Sequence, residues 1–350
     1  MNTPKNYMLL ILFVTLSFVV FTVHANESEV VFLTWAEYLD EEIVAEFEQK
    51  YGIKVKIVYY ESDDDRDDLL IQTNGQGYDI ILASGSALYK YRKQKWMAPL
   101  NTNMLPNMKY IDKKWIDIFQ DAKGYAVPYF WGTNGIAYRE DLVAKKPVSW
   151  RDLFQPEEHE KGKISMIRSS RDMFGMSLKM LGYSMNSNNK NEIDEAYKVL
   201  EKQKPFVKSY SYIRLDDKSA LVKGQVSMSF AYNGDALSVM EHDKRIKYIT
   251  PKEGVNLWVD YLFISSSSKN SGNAYKFINY LNEPKVSAKN AEYTYCATPN
   301  LGAVKYLPKG FLDNEVIYPS SDVLRKSEIY TKLNPRVARI RTMYFTKITD

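Results

Sequence analysis

The stretch Val30-Val31-Phe32-Leu33-Thr34-Trp35, followed by Asp40 and then by Ile43, Val44 and Phe47, decides the fold class. The first run is apolar and β-branched without alternation, as a strand buried on both faces must be. Asp40 offers the side-chain acceptor that a helix start requires, and the next three apolar residues fall on one helical face. Gly52 supplies the stop. Lys54 to Tyr60 alternates polar and apolar, a second strand. Asp63 to Thr73 reads as a helix with acids in its first turn. Tyr78-Asp79-Ile80-Ile81-Leu82-Ala83 is a third strand. This β-α-β-α-β order predicts a parallel sheet with right-handed crossovers and therefore an α/β fold. Ligands of such sheets sit beyond the carboxyl ends of the strands, where Trp35 and Ser84 fall.

Further along the chain the alternation weakens at Tyr129-Phe130-Trp131-Gly132-Thr133-Asn134-Gly135. Helical patterns return at Arg171 to Leu181 and Glu192 to Lys202, and a buried run spans Trp258 to Ile264. The chain has 350 residues, enough for one large or two medium cores. Two α/β lobes joined by crossing strands suit it better than one sheet. The expected division is 26–134 with 257–304 for the first lobe and 135–256 with 305–350 for the second.

The amino-terminal segment reads as an address. Lys5 precedes an apolar run from Met8 to Val23, and Val23-His24-Ala25 forms a small-residue cleavage pattern. Residues 1–25 are thus expected to be a secretory signal, giving a periplasmic mature protein. The competing reading is an uncleaved anchor, for which the run falls short of the roughly 20 residues a spanning helix needs.

Composition excludes several classes. With 47 basic and 43 acidic residues the charge is nearly balanced, so no nucleic-acid footprint appears. Cys296 is the only cysteine, which rules out an internal disulfide and a cysteine-zinc site. Beyond residue 25 there are two histidines, His159 and His242, in no metal-ligand spacing. The acidic run from Glu61 to Asp68 fails as a calcium loop. Counted from Asp63, the sixth and twelfth positions hold Asp68 and Asn74 rather than the required glycine and glutamate. No nucleophile elbow, phosphate loop or complete dinucleotide motif is present, so neither a catalytic residue nor a cofactor is expected.

What remains is carboxylates beside aromatic rings: Trp35-Ala36-Glu37-Tyr38, Tyr232-Asn233-Gly234-Asp235 and Trp258-Val259-Asp260-Tyr261. Tyrosine leads the aromatics, with 27 copies against 15 Phe and 6 Trp. An alkylammonium ligand uses a carboxylate at each charged end and aromatic faces along its methylenes.

The order of these segments resembles the periplasmic spermidine/putrescine-binding proteins over essentially the whole mature chain. The matching stretches include Leu33-Thr34-Trp35-Ala36-Glu37-Tyr38, Val127-Pro128-Tyr129-Phe130-Trp131-Gly132, Leu181-Gly182-Tyr183-Ser184, Leu257-Trp258-Val259-Asp260 and Ala297-Thr298-Pro299-Asn300. The resemblance implies two α/β lobes of the periplasmic binding protein type closing about a hinge, and a monomer. It implies that Trp35, Glu37 and Tyr38 form one wall and that Ser84 and Ser86 follow the third strand. Asp172, Tyr232 and Asp235 would face them from the second lobe. Trp258 and Asp260 would be the central aromatic and carboxylate. The chain departs from the family pattern at Ser86, Ser169, Cys296 and Tyr330, with Tyr295 placed to substitute for the tyrosine missing at Cys296. Gly135-Ile136-Ala137-Tyr138-Arg139, Asn256-Leu257-Trp258-Val259-Asp260-Tyr261 and Pro335-Arg336-Val337-Ala338-Arg339 resemble the norspermidine-sensor branch. That implies a polyamine sensor engaging a membrane receptor with GGDEF/EAL domains that controls cyclic di-GMP and biofilm formation. The alternative is the binding subunit of an ABC polyamine importer. Arg336, Arg339 and Arg341 are candidates for a receptor-facing patch, or else a solvated basic helix face.

Overall fold

The computed structural model describes residues 28–350. The expected signal segment and its cleavage pattern lie outside them. Strand β1 (Glu29–Trp35) pairs in parallel with β2 (Lys54–Tyr60) and β3 (Ile80–Ser84). The connecting helices are Glu41–Tyr51 and Asp63–Gln72. Asp40 caps the first by accepting from the Glu42 N–H, and Gly52 ends it at φ 63°, a left-handed conformation that glycine adopts without a Cβ penalty. Ser62 caps the second through the Asp65 N–H. The edge position of β2 explains its legible alternation, because Lys54 and Lys56 turn one face to solvent.

The remaining strands are β4 (Ala126–Arg139), β5 (Ile164–Met166), β6 (Val207–Tyr210), β7 (Met228–Tyr232), β8 (Ile246–Ile249) and β9 (Leu257–Ile264). Their order is β2-β1-β3-β9-β4-β7-β5-β6, with β8 also on β4. Strand β4 is the crossing element. It pairs with β9 through Thr133 and with β7 from Asn134 onward. Its residues are buried throughout, so the stretch that looked like weakening alternation is one continuous strand with no solvent face to alternate with. A register shift between Pro128 and Phe130 accommodates the proline, which has no N–H to give the ladder.

Two cores form on either side of this crossing. One packs Phe32, Phe47, Phe263 and Phe277, the other Trp150, Phe154, Phe174 and Phe230. Leu307 and Ile317 belong to the first core, whereas Tyr330, Val337 and Ile348 belong to the second. Phe311, Leu312, Val316, Tyr318 and Leu324 pack against the first core as well, whereas Val323 packs against the second.

Register sets the positions of the cleft residues. Ser84, the last residue of β3, lies opposite Asp260 on β9, and Gly132 on β4 lies opposite Trp258. A Cβ at Gly132 would come within 2.3 Å of Asn233 Oδ1 and 2.5 Å of Trp258 Cζ2. Neither neighbour is free to move, since Asn233 Oδ1 accepts the Thr133 N–H and the Trp258 indole donates to the Thr133 carbonyl. Gly132→Ala is expected to destabilise the protein by about 1–3 kcal/mol through overpacking, as read by urea unfolding.

Candidate functional site

The site is built at the facing ends of the two lobes. From the first lobe, Trp35 ends β1 and Tyr38 follows in a tight turn where Glu37 holds φ 55°. Glu37 is exposed at the rim. The Tyr38 hydroxyl donates to Asp260 Oδ2 at 3.0 Å. Trp35 packs on Tyr60 with ring centroids 4.6 Å apart. The Ser84 and Ser86 hydroxyls lie 3.3 Å apart.

From the second lobe, Ser169 caps the helix Ser170–Met180 and places Asp172 in its first turn. Asp172 accepts from the hydroxyls of Ser169 (2.6 Å), Tyr232 (3.1 Å) and Tyr330 (3.1 Å). Tyr232 ends β7 and precedes the helix Asn233–His242, whose first turn carries Asp235. Tyr212 donates to Asp235 Oδ2 at 2.5 Å. The Tyr232 ring meets Trp258 edge to face at 6.3 Å.

The electrostatics separate the acids into two kinds. Burial, with the charge of Asp63 added, pushes the Asp260 carboxyl up to about 7. Burial does the same to Asp235, also to about 7, with Glu37 adding to it. Each has one oxygen on a phenol and no protein cation in contact. Asp63 is the contrast. Burial would raise it too, but the guanidiniums of Arg66 and Arg171 hold it at about 2. Arg66 reaches it at 2.6 Å and Arg171 at 3.0 Å.

Ten of the residues expected at the site line this cleft: Trp35, Glu37, Tyr38, Ser84, Ser86, Asp172, Tyr232, Asp235, Trp258 and Asp260. Tyr295 is not brought to the acids. It holds φ 51° at the end of the helix Pro284–Thr294, and the charges around its hydroxyl are Glu241 and Lys244. The left-handed turn sends the next side chain inward instead, so Cys296 Sγ lies 4.0 Å from the Tyr38 hydroxyl. Burial pushes that thiol up to about 12, so it is neutral. Sequence reasoning missed Tyr212, Arg171 and Asp63. Tyr212 stacks on Trp35 across the cleft at 6.0 Å, and Arg171 also donates to Ser86 Oγ at 2.5 Å. Nothing in the polar loop around Tyr212 marks it beforehand. Arg341, a candidate surface residue, is instead buried, its guanidinium donating to the carbonyls of Met185 and Ser187. It sits on the inward face of its helix, one turn from Val337, while Arg336 and Arg339 stay exposed.

The matched family model is that of bacterial extracellular solute-binding proteins, covering residues 42–315. The chain belongs to that family. It is 31% identical over 310 residues to the spermidine/putrescine-binding periplasmic protein of Escherichia coli, 87% of each chain. It is 26% identical over 317 residues to the norspermidine sensor of Vibrio cholerae, 90% of this chain and 87% of that one. Among solved structures it superposes on the spermidine/putrescine ABC transporter substrate-binding protein PotD of Streptococcus pneumoniae with a TM-score of 0.79, at 28% identity over 92% of this chain and 98% of that one. These similarities confirm the two-lobed α/β fold and the periplasmic location. Among the described residues, no helix is long and apolar enough to cross a membrane.

The raised acids carry a pH signature. Between the ordinary carboxylate range and about 7, the folded protein holds protons on Asp235 and Asp260 that the unfolded chain has released. Stability from these groups is full below the unfolded value and is lost as pH rises through about 7. Without added ligand, unfolding free energy should fall from pH 5 to pH 8, and Asp260→Asn should flatten that slope in urea titrations.

Proposed function

We propose that the chain binds a polyamine in this cleft. The observation that carries the reading is the pair Asp235 and Asp260. Both are carboxylates raised to about 7 by burial and served by one phenol each. A ligand ammonium at each would restore the charge-assisted bonds that the protein leaves unmade. Trp35, Tyr212, Tyr232 and Trp258 wall the space with rings suited to methylenes and to cation–π contact. The relatives named for spermidine, putrescine and norspermidine support the same ligand class. The reading contains no catalytic step, which the match to a family of solute-binding proteins supports.

Delivery to an ABC permease is the role we assign first, supported by the Streptococcus pneumoniae substrate-binding protein. A sensor that reports polyamine to a GGDEF/EAL receptor is the second reading, supported by the Vibrio cholerae relative. Deleting the chain from its host separates them. Lost polyamine uptake supports delivery, whereas intact uptake with altered cyclic di-GMP supports sensing.

Asp260→Ala should weaken polyamine binding by about 2–5 kcal/mol in calorimetric titration, the range for truncating one side of a buried charge pair. An unchanged dissociation constant would remove Asp260 from the site.

A further inference from the structure

Asp172 is also a carboxylate of the cleft, yet it differs from Asp235 and Asp260. Only 1% of it is exposed, and three hydroxyls already donate to it. Ser169 and Tyr232 occupy Oδ2, and Tyr330 occupies Oδ1. Tyr330 is itself buried and lies under a cation. The Arg171 guanidinium sits 4.8 Å from its ring centroid. The charge of Arg341, 2% exposed and with Nε and Nη1 lacking a hydrogen-bond partner among the described residues, also reaches the Tyr330 hydroxyl. Arg171 also fills the corner between Asp63 and Ser86.

Asp235 and Asp260 each keep Oδ1 free of any protein donor among the described residues. We infer that Tyr330, with Ser169 and Arg171, closes the Asp172 end and makes the cleft a two-point receptor that selects short diamines over triamines. This rests on the polyamine reading above. The physical argument has two parts. A third ammonium brought to this end would meet a carboxylate that already holds three donors, and would regain less of its lost hydration than at Asp235 or Asp260. It would also approach Arg171, and like charges placed against a competing ligand discriminate strongly.

The test is calorimetric titration of the mature protein with putrescine and with spermidine, after refolding from denaturant to strip carried ligand. Putrescine should bind at least about tenfold more tightly, a difference equal to about one hydrogen bond to a charged group. Tyr330→Phe keeps the ring but releases Asp172 Oδ1, and should move the spermidine-to-putrescine affinity ratio about tenfold toward spermidine. Ser169→Ala, which releases Oδ2 of one donor, should move it the same way and serves if the first variant does not fold. Wild-type protein that prefers spermidine would overturn the selection and leave the polyamine reading standing. So would a folded Tyr330→Phe variant with an unchanged ratio. Binding of neither amine would overturn both.

Discussion

Asp260 is a carboxylate taken almost wholly out of water and given one phenol in exchange. Such a group either keeps its proton or acquires a cation, because burial without a partner costs too much. Among the described residues, no cation makes contact with it. Its nearest guanidiniums, Arg66 and Arg171, are engaged by Asp63 instead. The arrangement is set by the sheet. Asp260 stands in register with Ser84 on one side and Phe130 on the other, so its backbone is fixed by ladders on both edges. The charge deficit is therefore built into a rigid element, and a cationic ligand, as proposed, would remove it.

The lobes meet through contacts that are individually modest. Arg171 bridges to Asp63 and Ser86, Tyr212 stacks on Trp35, and Tyr232 meets Trp258 edge to face. The side chains of both Arg171 and Asp63 are 32% exposed, and an ion pair open to solvent to that degree contributes little alone. Weak lobe-to-lobe contacts suit a hinge that must open again. Under the proposed reading, a ligand held by both Asp260 of the first lobe and Asp235 of the second would bind the closed arrangement better and shift the population toward it.

The first third of the fold was legible because its signals are local. The Asp40 cap, the edge-strand alternation of β2 and the Gly52 stop each act over a few positions and are read directly, whereas the Ser62 cap of the second helix is not. Strand β4 was harder, since a strand buried on both faces shows no period. Trp35, Tyr38, Trp258 and Asp260 were legible as acids beside aromatic rings at strand ends. Tyr212 and Arg171 were not, because their roles depend on which lobe surface they face after the chain has crossed twice. Arg341 was misjudged for a related reason. A basic run along a helix looks solvated until the helix phase assigns one of its members to the core.

Cys296 shows how a departure from the family pattern fits the same constraint. Its thiol lies among Tyr38, Asp235 and Asp260, where its charge would oppose both acids. Burial and those acids together keep it protonated and neutral. A thiol is also a weak donor, so it does not satisfy the carboxylates as a phenol there would. The acids stay short of partners, which keeps their demand for a cationic ligand high. Reactivity follows the thiolate, so the same neutral state protects this lone cysteine in an oxidising compartment. The substitution thus leaves the cleft's charge deficit intact while adding no reactive group to it.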